Sequence, residues 1–383
     1  MVDALALRKA FVDSLVAAGS VRDPALIAAF ADVPRHCFVP SFFMPTTNVW
    51  WRAIDSTHPA YYPLVYSDTA LTTQLKGGIE PDPGVGDIDG TATSGSNPPG
   101  LIAAMLEALE LSGTETVLEV GTGTGYNAAL LSHRLGSEQV TTVEIDPVLA
   151  GLARRRLAVA GFDPTVVTSD GEHGWHRQAP YRRVLGTCAV PRIPRAWIDQ
   201  TCHGGVIVAS LWRDLGGGPL VRLVVDSGVA RGRFLPEAGG FVPARSVVQR
   251  PALTVAAIWQ KGETRDVSVD SSALDDLHSG MFIALQVPGV TSVTFTPNGA
   301  SEQLWMSSPD DSWARLDDTT GTVEQFGPRR LWDEIETAHE YWRGLDSPTR
   351  DRIGLSVSRN GTHHFWLDTP SRQIWAVGTK KNK

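Results

Sequence analysis

Hydrophobic residues near the N-terminus recur at the spacing of helices. Apolar side chains follow one another every three to four positions over residues 4–16 and again over residues 26–30, and Pro34 ends the pattern. Because one face of an α-helix repeats with this period, residues 1–45 are predicted to be helical. Residues 46–100 lack this period and become rich in glycine and proline, so the sequence predicts irregular structure there, either a linker or a functional flap.

Between residue 101 and about residue 250, helical patterns alternate with short apolar runs. The pattern predicts helices over residues 101–111, 126–135 and 148–160, and strands over residues 116–120, 140–145, 165–168, 183–187, 205–211, 220–226 and 231–235. Strands and helices that alternate in units of about 20 to 30 residues are typical of a parallel sheet covered by helices on both faces. The middle of the chain therefore predicts an α/β sheet that ends in a closing pair of strands.

After about residue 250 the pattern changes to strands, one amphipathic helix and a hairpin. Residues 331–345 place their apolar side chains on one helical face, and Asn360-Gly361 lies between two apolar runs, as in a two-residue hairpin turn. We therefore predict three regions: residues 1–100, residues 101–250, and a separate, smaller α+β domain over residues 251–383.

Composition excludes several classes of protein. Hydrophobic residues make up 42% of the 383 positions and charged residues 20%, which excludes disordered and fibrous chains. The net charge of −8 argues against nucleic acid or a membrane surface as a partner, and no apolar run is long enough to span a bilayer. Three widely spaced cysteines form neither a disulfide framework nor a zinc-binding spacing. We expect a soluble, cytoplasmic protein without a signal peptide.

The strongest local signal is a glycine-rich turn between a strand and a helix, Glu119-Val120-Gly121-Thr122-Gly123-Thr124-Gly125-Tyr126. Glycines allow a tight turn and a close approach of the backbone to a ligand, and the helix N-terminus offers N–H groups. A dinucleotide-binding GxGxxG motif would need glycine in place of Tyr126. A second strand ends at Glu144, where a carboxylate can accept hydrogen bonds from ribose hydroxyls. The combination favours a nucleoside cofactor, S-adenosylmethionine before NAD, over a purely structural turn.

Several further stretches accompany this turn along the first 250 residues. They are Val33-Pro34-Arg35-His36-Cys37-Phe38-Val39-Pro40, Tyr66-Ser67-Asp68, Ser169-Asp170-Gly171-Glu172-His173-Gly174, residues 179–184 and residues 187–194. In content and order they resemble the motifs of the protein-L-isoaspartate O-methyltransferase family. Together they are far more specific than the glycine-rich turn alone.

This resemblance implies a fold, a reaction and a cofactor. The fold is the α/β class I methyltransferase fold, a Rossmann-like sheet with N-terminal helices, to which residues 251–383 add a smaller α+β domain. The reaction is O-methylation of a side-chain carboxylate of isoaspartyl residues in peptides, with S-adenosylmethionine bound by residues 101–250. The implied cofactor-binding residues are Glu119, Gly121, Thr122, Gly123, Glu144, Ile145, Asp170 and Gly171.

The substrate-facing segment departs from the family, which has Thr-Ile-Ser-x-Pro before the helix that leads to the glycine-rich turn. An ungapped count back from Glu119 places the family's proline on Pro99 and its serine on Asn97, with Ser96 beside it. The link that follows Asp68 is also longer than the family's. This indicates either a flap rebuilt for a different substrate or a loop whose sequence has changed while the substrate is the same. The implied residues are Ser96 and Asn97 as catalytic groups that orient the carboxylate, and Asp68, Ser94 and Val190 as substrate-binding groups.

Residues 251–383 are absent from the ordinary repair enzymes of the family. The chain thereby resembles actinobacterial members that methylate an aspartate of a constrained, ribosomally synthesised modified peptide, whose ester then gives a succinimide (aspartimide) or isoaspartate. We predict this function, with the extension helping to bind the precursor peptide. The alternatives are repair of isoaspartyl damage in proteins, an extension that only stabilises or oligomerises the enzyme, and a non-catalytic peptide-binding scaffold.

Other reactive residues favour structural interpretations. His173 and His176, and the pair His363-His364, lack the arrangement of a metal site, so no metal is expected. Nothing in the sequence beside Cys188 indicates an activated nucleophile. The run Arg154-Arg155-Arg156 is interpreted as a solvated helix face, with docking of an acidic peptide as the alternative.

Overall fold

The helices and strands are those of a computed structural model, which describes residues 3–47, 50–245, 247, 261–296 and 302–378. The helices are α1 Ala4–Ala17, α2 Pro24–Asp32, α3 Arg35–Phe38, α4 Tyr61–Val65, α5 Pro99–Ala108, α6 Tyr126–Leu135, α7 Pro147–Val159, α8 Arg195–Asp199, α9 Ser272–Asp275, α10 Ser279–Gln286 and α11 Leu331–Gly344. The strands are β1 Ser41–Pro45, β2 Trp50–Asp55, β3 Leu71–Leu75, β4 Ile88–Asp89, β5 Ala92–Ser96, β6 Val117–Val120, β7 Val140–Glu144, β8 Thr165–Thr168, β9 Tyr181–Val190, β10 Thr201–Leu211, β11 Leu220–Asp226, β12 Val229–Phe234, β13 Glu263–Asp266, β14 Thr291–Phe295, β15 Gln303–Ser307, β16 Trp313–Asp317, β17 Thr322–Phe326, β18 Ile353–Val357, β19 His363–Leu367 and β20 Gln373–Val377.

A ten-stranded mixed sheet forms the centre of the fold, in the order β20-β19-β18-β12-β11-β10-β9-β6-β7-β8. The five adjacent strands β10, β9, β6, β7 and β8 are parallel to one another. The other five strands pair antiparallel with their neighbours. All four side chains of β6 are buried, because helices cover both faces of the parallel half. The α/β prediction for the middle of the chain is confirmed, and β6, β7, β8, α6 and α7 differ from their predicted ranges by at most one residue at either end.

Local sequence fixes the start of the helix that follows β7. The Asp146 carboxylate accepts hydrogen bonds from the N–H groups of Val148 and Leu149, and Pro147 occupies the first helical position. A side-chain cap and a proline at this position both favour helix initiation. Helix α7 therefore begins three residues after Glu144, which keeps that side chain at the carboxyl end of the sheet.

The N-terminal region contains more strand than predicted. Residues 41–45 form β1 instead of continuing the helical region, and residues 46–100 contribute β2 to β5 to a sheet of order β4-β2-β1-β3-β5. The prediction of irregular structure was therefore wrong for these strands. β3 and β5 consist largely of Thr, Ser, Gln and Gly, so they lack the alternation of apolar residues by which a strand is usually recognised.

The C-terminal extension contributes to two sheets. Strands β13 to β17 form a separate antiparallel sheet, whose core includes buried Trp332 and Ile335 of α11. Strands β18 to β20 instead continue the central sheet beyond β12, and the rings of Phe234 and Phe365 stack with centroids 6.3 Å apart. The predicted boundary at residue 251 lies outside the described residues, so the three-region division stays a prediction.

No helix in the described ranges combines the length and the apolar character needed to cross a bilayer.

Candidate functional site

A cavity lies at the carboxyl ends of the parallel strands β6, β7 and β9. It contains about 1000 Å³ of empty space, including space open to solvent. Crevices at this edge of parallel sheets are common ligand sites. Of the predicted site residues, the cavity lining includes Ser94, Ser96, Asn97, Glu119, Gly121, Thr122, Gly123, Glu144, Ile145, Asp170, Gly171 and Val190.

Close backbone packing explains the glycines of the turn after β6. Gly121 has φ +103°, and a Cβ atom there would lie 2.8 Å from Thr187 Oγ1. The Thr187 hydroxyl donates to the carbonyls of Val120 and Gly121, at 2.9 and 2.6 Å. A Cβ atom on Gly171 would lie 2.3 Å from Val120 Cγ1. Larger residues would therefore displace the backbone that forms the cavity wall.

Glu119 is a buried acid in the wall of this cavity. Its Oε1 accepts a 2.7 Å hydrogen bond from Asn127 Nδ2, and its Oε2 accepts a 2.6 Å hydrogen bond from Thr142 Oγ1. Burial, together with the nearby charge of Glu144, raises the pKa of Glu119 to about 7. Among the described residues this carboxylate has no ion-pair partner, and a buried carboxylate of this kind favours a ligand that brings positive charge.

The Glu144 carboxylate is held by two backbone N–H groups. Gly123 N donates to its Oε2 at 2.9 Å, and Asp146 N donates to its Oε1 at 3.0 Å. Burial raises the pKa of Glu144, and these hydrogen bonds oppose that effect. Each oxygen keeps further lone pairs that can accept hydrogen bonds from hydroxyl groups.

These features fit S-adenosylmethionine. The glycine turn leaves the backbone open to a ligand, Glu144 offers oxygen acceptors for ribose hydroxyls, and buried Glu119 offers negative charge in the same cavity. When bound, the cofactor supplies a methyl group on a positively charged sulfur. The predicted cofactor residues thus lie together at one site, and their individual roles stay predictions.

The substrate-facing segment lies against the glycine turn, since a Cβ atom on Gly123 would be 3.6 Å from the Gly95 carbonyl oxygen. Ser96 Oγ accepts hydrogen bonds of 3.2 Å from both Nε and Nη2 of Arg35. Its own hydroxyl proton has no acceptor in the described part of the chain, and Ser96 lines the cavity. Ser96 can therefore donate a hydrogen bond into the cavity, as can the side-chain amide of Asn97.

Arg35 holds this segment in place. Its guanidinium is fully buried and donates to five backbone carbonyls at 3.0 to 3.2 Å as well as to the Ser96 hydroxyl. The five carbonyls belong to Val65, Ser67, Thr69, Ser96 and Asn97. Burial lowers the pKa of Arg35 to about 10, so the side chain remains charged at neutral pH. The sequence places Arg35 in the motif at residues 33–40 but predicts no role for it. The one available signal of a buried role was a charged residue inside a largely apolar stretch.

Two other predicted residues have different surroundings. Asp68 is outside the cavity lining, and its Oδ1 accepts a 2.7 Å hydrogen bond from Gly100 N at the start of α5. Its predicted substrate-binding role stays a prediction. Cys188 lines the cavity, and burial raises the pKa of its thiol to about 12, so it is not an activated nucleophile.

The segment after Phe241 also contributes to the cavity, and sequence reasoning missed it. Val242 O accepts a hydrogen bond from Ala189 N at 3.0 Å, and Ala244 N donates to Ala189 O at 2.8 Å. This pairing brings Arg245 to the cavity, where its Nη2 donates to Gln74 Oε1 at 2.8 Å.

Replacing Glu144 by alanine is expected to weaken adenosylhomocysteine binding about tenfold, because an ionised hydrogen-bond acceptor is worth roughly 1.5–3 kcal/mol. Isothermal titration calorimetry measures the change. Glu138→Ala is the matched control, since Glu138 is an exposed acid just before the amino end of the same strand, β7. Unchanged affinity in Glu144→Ala would remove Glu144 from the cofactor site.

Comparison with known proteins agrees with this geometry. Residues 64–214 match the family model described as Protein-L-isoaspartate(D-aspartate) O-methyltransferase (PCMT). A protein-L-isoaspartate O-methyltransferase of Ignicoccus hospitalis is 31% identical over 239 residues, which cover 62% of this chain and 96% of the relative. One from Picosynechococcus sp. is 35% identical over 53% of this chain and 76% of its own length.

One solved structure is similar over most of the chain. It is titled protein-L-isoaspartate O-methyltransferase, and it aligns with a TM-score of 0.54 and 21% identity over 94% of this chain and all of its own. At this identity the likeness supports the fold, and the class I methyltransferase prediction is confirmed.

Proposed function

Since the chain belongs to the protein-L-isoaspartate O-methyltransferase family, and is an S-adenosylmethionine-dependent carboxyl methyltransferase, we propose that it methylates an aspartyl side chain of a ribosomally synthesised, modified peptide. The observation that carries the proposal is the position of Ser96 and Asn97. Both line the cavity beside the glycine turn, and both can donate hydrogen bonds into it. Such donors orient a substrate carboxylate without removing its nucleophilic lone pairs.

The reaction requires alignment more than proton transfer. A carboxylate with a pKa near 4 is already ionised at neutral pH, so no general base is needed. Holding two reacting groups in position can contribute roughly 7–11 kcal/mol. In this chain, Ser96 and Asn97 would align the carboxylate oxygen, and Arg35 would hold both residues in place.

The methyl ester accounts for the later chemistry of the peptide. The backbone nitrogen of the next residue attacks the ester carbonyl and loses its proton, methanol leaves, and a succinimide forms. Hydrolysis of the succinimide gives aspartate or isoaspartate. None of these later steps requires the enzyme if the peptide backbone is already bent by a ring.

Two features support a modified peptide as the substrate. The segment before Ser96 differs from the family's Thr-Ile-Ser-x-Pro and forms strands β4 and β5 of an additional sheet. Strands β18 to β20 of the extension continue the central sheet, which attaches the extension firmly to the catalytic core. The three free cysteines fit the expected reducing cytoplasm, and that localisation is part of the proposal.

Repair of isoaspartyl residues in damaged proteins is the second candidate. The names of the relatives favour it, and so does the solved structure of that name that spans most of the extension. The two candidates differ in their substrate and share the cofactor site.

A direct assay separates the candidates. The purified protein and S-adenosylmethionine are incubated with a linear isoaspartyl peptide and, separately, with a ring-constrained aspartyl peptide encoded near the enzyme's own gene, and the products are weighed by mass spectrometry. A methyl gain, or a loss of water on succinimide formation, on the constrained peptide supports the proposal. A gain on the isoaspartyl peptide alone identifies a repair enzyme, and no gain on either favours a scaffold.

Ser96→Ala is expected to lower kcat/KM for the accepted peptide about tenfold, because it removes one hydrogen-bond donor to the carboxylate, worth roughly 1.5 kcal/mol. The adenosylhomocysteine affinity should stay unchanged. Ser112→Ala is a control at a hydroxyl outside the cavity lining, hydrogen-bonded to Glu115. Equal kcat/KM in Ser96→Ala and the unmodified enzyme would exclude Ser96 from orienting the substrate.

A further inference from the structure

Two arginines lie in the loops that follow the central strands β9 and β10. Arg192 is two residues beyond Val190, which lines the cavity, and Arg213 is two residues beyond the end of β10. Trp212 N donates to Val190 O at 2.7 Å, which holds the two loops together. Both arginines are therefore at the carboxyl edge of the sheet. Each is at most two residues, or about 7 Å of extended backbone, from Val190 or from Trp212, which is bonded to it.

Both guanidinium groups are bonded to backbone carbonyls. Arg213 Nη1 donates to Pro191 O and Trp212 O at 3.1 and 2.6 Å. Arg192 Nη2 donates to the carbonyls of Val377 and Gly378 at 3.0 and 2.6 Å. Within the described ranges, neither arginine forms an ion pair with a carboxylate, in contrast to neighbouring Arg195, which pairs with Asp199.

The groups around these arginines leave their charge largely uncompensated. Both arginines are half-buried, and burial lowers the pKa of Arg213 to about 10 and also lowers that of Arg192. Asp214 attracts Arg213 electrostatically, but its Oδ1 accepts a hydrogen bond from Trp212 Nε1 at 3.1 Å. A partly desolvated cation without a carboxylate partner gains more from an incoming anion than a fully solvated one.

In the described residues, the extension contacts this loop through His363 and not through a carboxylate. His363 on β19 accepts a 3.1 Å hydrogen bond from Ile193 N through Nε2, which leaves Nδ1 as the donor to the Gly361 carbonyl. Burial, with a smaller effect from Arg192 and Arg213, lowers the pKa of His363 to about 4. His363 is therefore neutral at physiological pH, and its neighbour His364 hydrogen-bonds to Gln373 Oε1.

We propose that Arg192 and Arg213 form a binding surface for acidic residues of the peptide substrate near the methylated position. This inference rests on the proposed function in taking a peptide as the substrate. An extended peptide advances about 3.3 Å per residue, so the acidic residues would lie about two to four positions from the methylated aspartate. The run Arg154-Arg155-Arg156 is on α7, beside the edge strand β8, and is not part of this surface.

The test measures peptide binding apart from turnover. Two fluorescein-labelled isoaspartyl heptapeptides are used, one with glutamates three positions before and after the isoaspartate, and the other with glutamines at those positions. Fluorescence anisotropy gives the affinity of each for the full chain with saturating adenosylhomocysteine. We expect the acidic peptide to bind about tenfold more tightly, the effect of one or two partly desolvated charge-assisted hydrogen bonds. Arg192→Gln/Arg213→Gln should bind both peptides equally.

Arg154→Gln is the matched control. Arg154 likewise donates to a backbone carbonyl, that of Val166 at 2.9 Å, and to the Thr168 hydroxyl, and it has no ion pair in the described residues. This variant should retain the tenfold preference. Loss of the preference in Arg154→Gln as well would show a general effect of net charge and overturn the proposed surface.

Two results with the unmodified protein and the double variant would contradict the proposed surface. Equal affinity of the unmodified protein for the two peptides, or a preference that survives in the double variant, overturns the proposal. If the double variant does not fold, salt dependence decides instead: the preference of the unmodified protein must shrink several-fold between about 0.02 M and about 0.3 M salt. Selective binding of the acidic peptide, together with no mass change on the ring-constrained aspartyl peptide of the direct assay, would overturn the proposed function and leave the surface standing.

Discussion

Replacement of Arg35 by lysine is expected to lower kcat/KM for the peptide substrate about 100-fold while the affinity for adenosylhomocysteine stays within about twofold. Arginine presents five N–H donors in a fixed planar arrangement, whereas lysine offers three on a flexible stem. Lysine therefore keeps the positive charge but cannot satisfy five carbonyls and the Ser96 hydroxyl together. The segment that carries Ser96 and Asn97 should lose its fixed position.

The measurements are steady-state kinetics and calorimetry on the same preparation. Arg183→Lys is the control, because Arg183 also bonds to backbone carbonyls, among them Glu110 O at 2.9 Å, but lies near the amino end of β9. It should lower the thermal unfolding midpoint without changing kcat/KM. If Arg35→Lys lost cofactor affinity and kcat/KM in parallel, the role of Arg35 would be general stability; an unchanged kcat/KM would show that the segment does not depend on it.

The parallel half of the central sheet was predictable because its strands are buried on both faces. A strand such as β6, with four buried side chains, is apolar in the sequence except for Glu119, and the intervening helices leave a clear period. The strands β18 and β19 were recognisable as a hairpin, but the attachment of this part of the extension was not. They reach the central sheet by pairing β18 with β12, which is more than 100 residues earlier, and no local pattern specifies that partner.

In the candidate site, too, the features formed by neighbouring residues were predictable and those formed by long-range contacts were not. The glycine turn and Glu144 were identified because a strand, a tight turn and a helix follow each other directly in the sequence. The role of Arg35 depends on carbonyls 30 to 62 residues further along the chain. The segment that includes Arg245 likewise reaches the cavity only by pairing with Ala189. Contacts over such distances follow from the fold, so the sequence pattern alone gave no indication of them.

The charge of Glu119 leads to a pH dependence that distinguishes the cofactor from its product. The pKa of Glu119 is about 7, raised chiefly by burial, so its ionised fraction in the free protein increases as pH rises from about 6 to about 8. S-adenosylmethionine has a positively charged sulfur, whereas the sulfur of adenosylhomocysteine is neutral. We therefore expect S-adenosylmethionine affinity to rise through this range and adenosylhomocysteine affinity to change little.

The same ionisation affects folding with the opposite sign. The folded-state pKa of Glu119 lies above the ordinary value of 4.5, so between these two values the folded protein binds more protons than the unfolded chain. This group therefore makes the free energy of unfolding fall as pH rises from about 4.5 to about 7. Urea denaturation of the protein without cofactor at several pH values should show this loss, and Glu119→Gln should lack this contribution.

Glu119→Gln is expected to bind S-adenosylmethionine about 100-fold more weakly at pH 8, because the buried negative charge is lost from the cavity wall. Glutamine keeps a carbonyl acceptor for Asn127 or Thr142, so the shape of the site should be preserved. Calorimetry with both ligands at about pH 6 and about pH 8 measures the effect, and adenosylhomocysteine serves as the internal control. Equal losses for the two ligands would mean that Glu119 shapes the cavity without acting through its charge, and the expected pH dependence would then be absent from the unmodified protein as well.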